Sequence, residues 1–330
     1  MTQTRATQMQ VAIAAVRSAA TVCRAVQRRL VTAETLQKRD KSPVTVADFA
    51  SQAVVCAALA ESLPDDAVVG EEDAHVLRQD EQAAIRKAVV EHVAGAVGCQ
   101  VTDEQVLDWI DRGGAAASGR YWTLDPIDGT KGFLRGGQYA VALALIENGK
   151  VSLGLLGCPN LPGDGGEDQP GVLLTAERGQ GARIVPLWDR SQTTGRPIHV
   201  SQVDSPAAAR FCESVESAHS DQSHAAQVAQ LLGITAEPVR MDSQCKYATV
   251  ARGRAQIYLR LPTREDYREN IWDHAAGMLV VEQAGGQVTD VTGKPLDFTH
   301  GRRLEENAGI IATNGSIHDT VVDAVRRVLG

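Results

Sequence analysis

The sequence is poor in aromatic side chains and has no excess of basic charge. Aromatic residues make up 4% of the 330 residues, too few for a surface that stacks the bases of long single-stranded nucleic acid. There are 33 Lys and Arg against 41 Asp and Glu, so the formal charge is −8 at pH 7, whereas proteins that bind duplex nucleic acid carry a basic face. These features exclude a nucleic acid polymer as the expected partner, and they leave room for a small anion held by a few local cations.

Long apolar runs and paired cysteines are also missing. No uninterrupted apolar run reaches the roughly 18 to 20 residues that a membrane span needs, and Met1 to Arg17 does not follow the basic, apolar, then small-residue order of a secretory signal. We therefore predict no membrane partner and a cytoplasmic location. The six cysteines form no Cys-x-x-Cys pair, which predicts free thiols and argues against a zinc site or a disulfide framework.

The rest of the composition is that of a globular protein. Hydrophobic residues make up 43% and charged residues 22%, which excludes wholesale disorder. The length suits one large domain or two lobes. Beyond a stretch rich in Ser, Thr, Gly and Pro near residues 190–200, predicted strands alternate with predicted helices. We predict an N-terminal α+β lobe over residues 1–195 and a C-terminal α/β lobe over residues 196–330.

Apolar spacing and turn residues predict individual elements of the first lobe. The spacing predicts a helix over 47–62, further helix over 74–110, and a strand over 120–124 that ends at the following Asp-Pro pair. Asn-Gly at 148–149 lies between two apolar runs, which predicts a hairpin. The Gly, Pro and Asp content of residues 161–171 is typical of an exposed loop.

Four acidic segments stand out, three of them at the end of a predicted strand or the start of a predicted helix. They are Asp48, Gly70-Glu71-Glu72-Asp73, Asp125-Pro-Ile-Asp-Gly-Thr130 and Trp272-Asp273-His-Ala-Ala-Gly277. Singly, such acids are common helix caps. Together they favour a metal site, because clustered carboxylates repel one another and a divalent cation removes that penalty. Oxygen donors suit Mg²⁺, and the lack of a His and Cys cluster disfavours zinc.

The segment from 125 to 130 fits phosphate chemistry in particular. Asp125 and Asp128 can converge on metal ions, with the backbone carbonyl of Ile127 between them. Gly129 lets the backbone approach a phosphate closely, and Thr130 supplies a hydroxyl that can orient a water molecule. Two Mg²⁺ ions about 3.5–4 Å apart can clamp a phosphate and activate a water for in-line attack. These residues predict metal-assisted phosphate ester hydrolysis.

Longer motifs carry a family resemblance. Trp122-Thr-Leu-Asp-Pro-Ile-Asp-Gly-Thr-Lys-Gly-Phe133, together with the segments around Glu71 and Asp273, resembles the lithium-sensitive, inositol monophosphatase-like metal phosphatases. Within that superfamily the chain most resembles the 3′(2′),5′-bisphosphate nucleotidases. The narrower match is carried by residues 42–48, 213–220, 242–247 and 257–262.

The resemblance implies a fold and a set of site residues. The fold is a layered αβαβα sandwich of the inositol monophosphatase and fructose-1,6-bisphosphatase type, with the site between the two lobes. Two or three Mg²⁺ ions would be held mostly by the N-terminal lobe, and Asp48 and Thr130 match positions that activate the attacking water. The implied metal ligands are Glu71, Asp125, the Ile127 carbonyl, Asp128 and Asp273, and the implied substrate-binding residues are Gly129, Thr130, His219, Ser243, Lys246 and Arg260.

The predicted activity follows from this family. It is hydrolysis of the 3′-phosphate of adenosine 3′,5′-bisphosphate to AMP and phosphate, with 3′-phosphoadenosine 5′-phosphosulfate as a possible further substrate and inhibition by Li⁺. The carboxylate set fits an inositol polyphosphate 1-phosphatase or an inositol monophosphatase equally well, although Lys246 and Arg260 favour a nucleotide. A non-catalytic nucleotide-binding regulator is the third alternative, and the presence of Asp48 and Thr130 argues against it. The sequence leaves the oligomeric state open.

Overall fold

The computed structural model describes residues 4–30, 42–163, 166–215, 222–262, 264 and 266–330. Within these ranges the chain forms five layers: helices, a sheet, helices, a second sheet and helices. Each layer hides an apolar face against the next, as the stacking of amphipathic elements requires. The resulting αβαβα sandwich confirms the predicted fold class.

Helices and strands follow one another along the whole described chain. The helices are α1 Arg5–Leu30, α2 Ser42–Ser62, α3 Ala83–Val97, α4 Asp103–Asp111, α5 Thr130–Leu134, α6 Gln222–Leu232, α7 Cys245–Ala251, α8 Ala275–Gln283 and α9 His318–Leu329. The strands are β1 Ala67–Gly70, β2 Arg120–Asp128, β3 Ala140–Glu147, β4 Lys150–Gly163, β5 Gly166–Glu177, β6 Gly181–Pro186, β7 Arg196–Ile198, β8 Phe211–Glu213, β9 Val239–Arg240, β10 Ile257–Arg260, β11 Gln287–Thr289 and β12 Ile310–Thr313. A short 3₁₀ turn, Ile271–Asp273, precedes α8.

The first sheet contains β1 to β7 in chain order. β1 and β2 are parallel, and the other neighbouring pairs are antiparallel. One face of this sheet packs against α1 and α2, and α3 and α4 pack against α2. Phe49, Leu59, Trp122 and Leu143 are buried in that first core. The parallel pair matters for the site, because the chain leaves β1 and β2 at the same edge of the sheet.

The opposite face of the first sheet packs against α7 and α8, which form the middle layer. The second sheet covers these helices from the other side, in the strand order β11-β12-β10-β8-β9. α6 and α9 cover its outer face. α8 approaches the first sheet so closely that a Cβ on Gly154 would lie 2.9 Å from the carbonyl oxygen of Ala276. The middle helices therefore share one core with both sheets.

The helical region predicted over 74–110 is two helices. α3 ends at Gly98, whose φ of 73° is the left-handed conformation that glycine adopts easily. α4 starts with a capping box: the Thr102 hydroxyl accepts from the backbone N–H of Gln105, and the Gln105 side chain accepts from the N–H of Thr102. α2 begins at Ser42, five residues before the predicted 47.

The prediction of an exposed loop over residues 161–171 is wrong. β4 continues to Gly163 and β5 begins at Gly166, so this segment extends the hairpin, and residues 164 and 165 lie outside the described part. Pro162 faces Pro170 across the pair, and the register shifts on both sides of this position. Proline lacks the N–H of a ladder hydrogen bond and is accommodated at irregular positions of this kind.

The expectation that no stretch suits a membrane span also needs correction. Two of the described helices, Arg5–Arg29 and Val44–Ser62, are long and apolar enough by length and composition. In these helices, 56% and 72% of the apolar window is buried inside the molecule. α2 contacts α1, α3, α4 and β2, and a helix enclosed on several sides needs apolar residues around most of its surface.

The first sheet draws its strands from residues 67–198 and the second from residues 211–313. β7 lies beyond the expected boundary at residue 195 and belongs to the first sheet. The division into two lobes stays a prediction. The six cysteines all lie in the described ranges and are free, as expected.

Candidate active site

A β-bulge brings Asp125 and Asp128 to the same face of the first sheet. β2 does not end at Asp125 as predicted but continues to Asp128. Asp125 pairs with Ala142 and Asp128 with Ala140, so three steps along β2 match two along β3. In a regular strand, residues three apart point to opposite faces, and one extra residue reverses this. Both carboxylates therefore point toward the middle helical layer, on the face where Ala140 and Ala142 are buried.

Glu71 reaches the same place from the neighbouring strand. Gly70 at the end of β1 pairs with Leu124, and the N–H of Glu71 donates to the carbonyl of Leu124 at 3.2 Å. Because β1 and β2 are parallel, Glu71 lies beside Asp125. Asp273 joins them from the 3₁₀ turn before α8, and this turn contacts β2. It is not the N-cap of α8, because that position is His274.

Gly129 and Ser243 join the end of β2 to the start of α7. Gly129 has a φ of +89°, and a Cβ at this position would lie 2.8 Å from the Cβ of Ser243. Ser243 itself has a φ of +64°, which is uncommon for a serine. The N–H of Gln244 then donates to Oδ2 of Asp128 at 2.5 Å. This close approach needs a residue without a side chain at position 129.

A cavity of about 210 Å³ opens where these segments meet. It contains most of the predicted site residues and adds several that lie in the matched motifs but were not predicted as site residues. The predicted residues on its wall are Glu71, Asp125, Ile127, Asp128, Gly129, Thr130, Ser243, Lys246, Arg260 and Asp273. The added ones are Lys131, Gly132, Ser214, Asp242, Gln244 and Tyr258. His219 lies outside the described residues.

Asp48 is buried beside the cavity, although it is not among the described residues of the cavity wall. Burial raises its pKa well above the ordinary value, and the charges of Glu72 and Glu71 raise it further. Thr130 is exposed at the first position of α5. The side chain of Ile127 is buried in the first core, so only its backbone can serve the cavity.

The carboxylates destabilise one another's charged forms. Burial raises the pKa of Asp125 well above its usual range, and Glu71, Asp128 and Asp273 add to this. Burial likewise raises the pKa of Glu71 and of Asp273, although Arg260 opposes the shift at Asp273. Among the described residues, Oδ1 of Asp48 and Oδ1 of Asp125 are buried without a hydrogen-bond partner. Unpartnered carboxylate oxygens beside mutually repelling acids fit a divalent cation with oxygen ligands.

Cations also line the cavity. Lys246 is 4% exposed, and burial lowers its pKa while Asp128 partly offsets this. Its Nζ lies 5.2 Å from the ring centre of Tyr258. Burial lowers the pKa of Arg260, but Glu269, Tyr258 and Asp273 together outweigh burial, so the pKa of Arg260 is raised well above its ordinary value. A bound phosphate with metal ions requires both kinds of charge, and we refer to the carboxylates of the wall as its acidic end and to Lys246 and Arg260 as its cationic end.

Glu269, Asp273 and His274 form a second acidic group that the sequence did not indicate. Among the described residues, each offers a ligand atom within 4.8 Å of the others. Two of them already have partners, since Nε2 of His274 lies 3.2 Å from Glu269, and Glu269 accepts from Nε of Arg260 at 2.8 Å. Burial alone would raise the pKa of Glu269, but His274 and Arg260 lower it to about 2. These contacts describe an ion-pair network behind the cavity.

Comparison with known proteins identifies the class to which this fold and acidic cavity belong. The inositol monophosphatase family model matches residues 2–329, so the chain belongs to the inositol monophosphatase family. Its relatives include a 3′(2′),5′-bisphosphate nucleotidase of Emericella nidulans, 47% identical over 321 residues that cover 89% of this chain and 91% of that protein. A protein of the same name from Schizosaccharomyces pombe is 44% identical over 335 residues, covering 97% and 95%.

Solved structures agree on the fold. An inositol monophosphatase from Zymomonas mobilis superposes with a TM-score of 0.65 at 18% identity, covering 98% of this chain and 100% of that one. An inositol monophosphatase from Anabaena gives a TM-score of 0.63 at 23% identity, covering 97% and 96%. At these identities the likeness establishes the architecture alone.

Proposed function

We propose that this protein is a Mg²⁺-dependent 3′(2′),5′-bisphosphate nucleotidase that converts adenosine 3′,5′-bisphosphate to AMP and phosphate. The single observation that carries the proposal is that clustered carboxylates, the buried Lys246 and the half-buried Arg260 line one cavity. The nucleotidases at 44–47% identity support it. 3′-Phosphoadenosine 5′-phosphosulfate carries the same 3′-phosphate, so we propose it as a second substrate. We also propose a cytoplasmic location.

In this proposal the acidic end holds the metal. Glu71, Asp125, Asp128, Asp273 and the Ile127 carbonyl would ligate two or three Mg²⁺ ions. When bound, Mg²⁺ neutralises the carboxylates, binds phosphate oxygens and makes a water more acidic. The chain supplies the geometry, because the bulge in β2 and the parallel β1–β2 pair fix where the carboxylates lie.

Asp48 and Thr130 orient the attacking water in this proposal. Asp48 is buried next to the acidic cluster, with one oxygen lacking a hydrogen-bond partner among the described residues. Thr130 presents its hydroxyl side chain from the cavity wall at the start of α5. A carboxylate and a hydroxyl that hold a water in line with the phosphorus–oxygen bond lower the entropic cost of the attack.

The cationic end binds the part of the substrate that is not cleaved. Lys246 and Arg260 suit the 5′-phosphate, since charged hydrogen bonds to phosphate are strong and Arg can make two in parallel. Ser243 contributes a hydroxyl, and Gly129 lets the backbone approach the reacting phosphate. His219 is proposed as a further nucleotide contact on the resemblance alone.

Phosphate release in the presence of Mg²⁺, excess EDTA and Li⁺ tests the proposal. We expect EDTA to abolish turnover of adenosine 3′,5′-bisphosphate, Li⁺ to inhibit it, and Asp128→Asn to match the EDTA-treated enzyme because one ligand loses its charge. Full activity in excess EDTA would contradict the metal-dependent mechanism.

A substrate panel separates the nucleotidase from the inositol phosphatases. The cationic end of the cavity predicts a higher kcat/KM for adenosine 3′,5′-bisphosphate than for inositol 1,4-bisphosphate or inositol 1-phosphate. A large preference for an inositol phosphate would reverse the assignment, and Mg²⁺-dependent nucleotide binding without turnover would indicate a regulator.

A further inference from the structure

The acidic cluster poses a structural problem that the ligands themselves do not solve. Asp48 and Asp125 are buried and Asp273 is half-buried, and neighbouring carboxylates raise the pKa of all three and of Glu71. Like charges at close range push apart unless the backbone that carries them is fixed. Two buried glutamines contact the segments that carry these acids.

Gln244 joins two of the carboxylate segments. Its backbone N–H donates to Oδ2 of Asp128 at 2.5 Å. Its side-chain Nε2 donates to the carbonyl of Trp272 at 3.0 Å, and its Oε1 accepts from the N–H of Gly277 at 3.0 Å. One residue that is 2% exposed therefore connects the carboxylate of Asp128 to the backbone on either side of Asp273.

Gln52, on α2, joins the segment that follows Glu71 to the last turn of α4. From α2, its Nε2 donates to the carbonyl of Glu72 at 2.6 Å and to the carbonyl of Ile110 at 2.8 Å, while its Oε1 accepts from the N–H of Glu72 at 3.1 Å. The side chain is fully buried. It packs so closely against Gly70 that a Cβ there would lie 2.5 Å from Oε1.

Both amides have one possible orientation. In each, the NH₂ group faces carbonyl oxygens and the oxygen faces a backbone N–H. A rotated amide would place donor against donor and acceptor against acceptor. The two side chains therefore fix backbone positions, and methionine, which has a similar length, provides neither hydrogen bond.

We propose that Gln52 and Gln244 are positioning residues that hold the Glu71, Asp128 and Asp273 backbone segments at the separation that Mg²⁺ binding requires. This inference rests on the proposed function. Groups that orient metal ligands from outside the coordination sphere typically contribute about 10–100-fold to metal affinity. We expect a loss of that size from removal of either amide.

Isothermal titration with Mg²⁺ in the absence of substrate tests this on Gln52→Met and Gln244→Met. A matched control is Gln256→Met, because Gln256 is also buried and its amide also bridges two groups, Arg210 N–H at 2.8 Å and the Ser201 hydroxyl at 3.0 Å. It lies at the opposite end of β10 from Arg260. Melting temperature, kcat and KM are measured on the same samples.

We expect Mg²⁺ to bind about 10–100-fold more weakly to the first two variants and with wild-type affinity to Gln256→Met, even where all three melt at lower temperature. In the first two, kcat at fixed Mg²⁺ should fall and recover at higher Mg²⁺. If Gln244→Met does not fold, Gln244→Asn, which is one methylene shorter, replaces it.

Unchanged Mg²⁺ affinity in folded Gln52→Met and Gln244→Met would overturn the inference while leaving the proposed function intact. Failure of the wild-type protein to bind Mg²⁺ would contradict the proposed function and the inference with it.

Discussion

Lys246 is a buried cation that lines the cavity, where it can bind an anionic ligand. Burying an ammonium group is costly, and the lowered pKa of Lys246 records that cost. Asp128 offsets the largest part of that cost, and the side chain lines the cavity. A buried lysine in such surroundings is poised to receive an anion.

Lys246→Ala should therefore raise KM for adenosine 3′,5′-bisphosphate by about 10–100-fold, because a hydrogen bond to a charged group contributes roughly 1.5–3 kcal/mol. The KM for adenosine 3′-monophosphate, which lacks the 5′-phosphate, should rise much less. Steady-state kinetics on both substrates measures the difference, with Lys294→Ala as a control on an exposed lysine. Equal losses on the two substrates would argue against a phosphate-binding role for Lys246.

At the scale of elements, the sequence predicted the types of most helices and strands but not their junctions. The period of apolar residues indicated helix and strand correctly because it reflects which face is buried. It could not indicate the bulge in β2, since Asp125-Pro-Ile-Asp128 has the composition of a turn and is held in the strand by pairing with Ala140 and Ala142. It also missed the hairpin beyond Leu161, where pairing with a partner strand outweighs Gly and Pro content.

The contact between Gly129 and Ser243 gives a test at this scale. Gly129→Ala adds left-handed backbone strain of about 1–2 kcal/mol and pushes a methyl group against Ser243. We expect a lower melting temperature and a fall in kcat/KM of tenfold or more, by the scale of misplaced site groups. Gly136→Ala is the matched control, since Gly136 has a φ of +71° with open space around a Cβ. The Gly136→Ala variant should have a lower melting temperature but an unchanged kcat/KM. An equal fall in kcat/KM in both variants would show that backbone strain alone is responsible.

At the scale of the whole molecule, the acidic end is a source of instability that a bound cation relieves. The candidate ligands could be named because Glu71, Asp125, Asp128 and Asp273 lie in motifs that resemble those of a known family. Their supports could not: Gln52 and Glu269 lie outside the matched motifs, and Gln244, although inside residues 242–247, acquires its role only through its contacts with other segments.

The raised pKa values set a pH dependence for the metal-free protein. Carboxyls whose pKa is higher in the folded than in the unfolded state stabilise the fold at acidic pH and lose that contribution as pH rises through the folded pKa. For Glu72 that value is about 7, through burial and the charges of Glu71 and Asp73. Stability of the metal-free protein should therefore fall between about pH 4 and pH 7.

Mg²⁺ should raise the melting temperature more at pH 8 than at pH 5, because its carboxylate ligands must be deprotonated and binding stabilises the folded state alone. Differential scanning fluorimetry with saturating Mg²⁺ or EDTA at the two pH values measures this. A larger Mg²⁺ effect at pH 5 would contradict the assignment of these carboxyls to the metal site.

The extra residue in β2 makes the count of residues between the two aspartates as important as their identity. Without the bulge, Asp125 and Asp128 would lie three regular steps apart and one of them would face α1 and α2 instead of the cavity, whereas a strand one residue shorter would be regular and keep both acids on one face. Both acids therefore reach the cavity at this spacing only if the bulge forms, and conservative replacement of Ile127, whose side chain packs in the first core, should be tolerated as long as the bulge is kept.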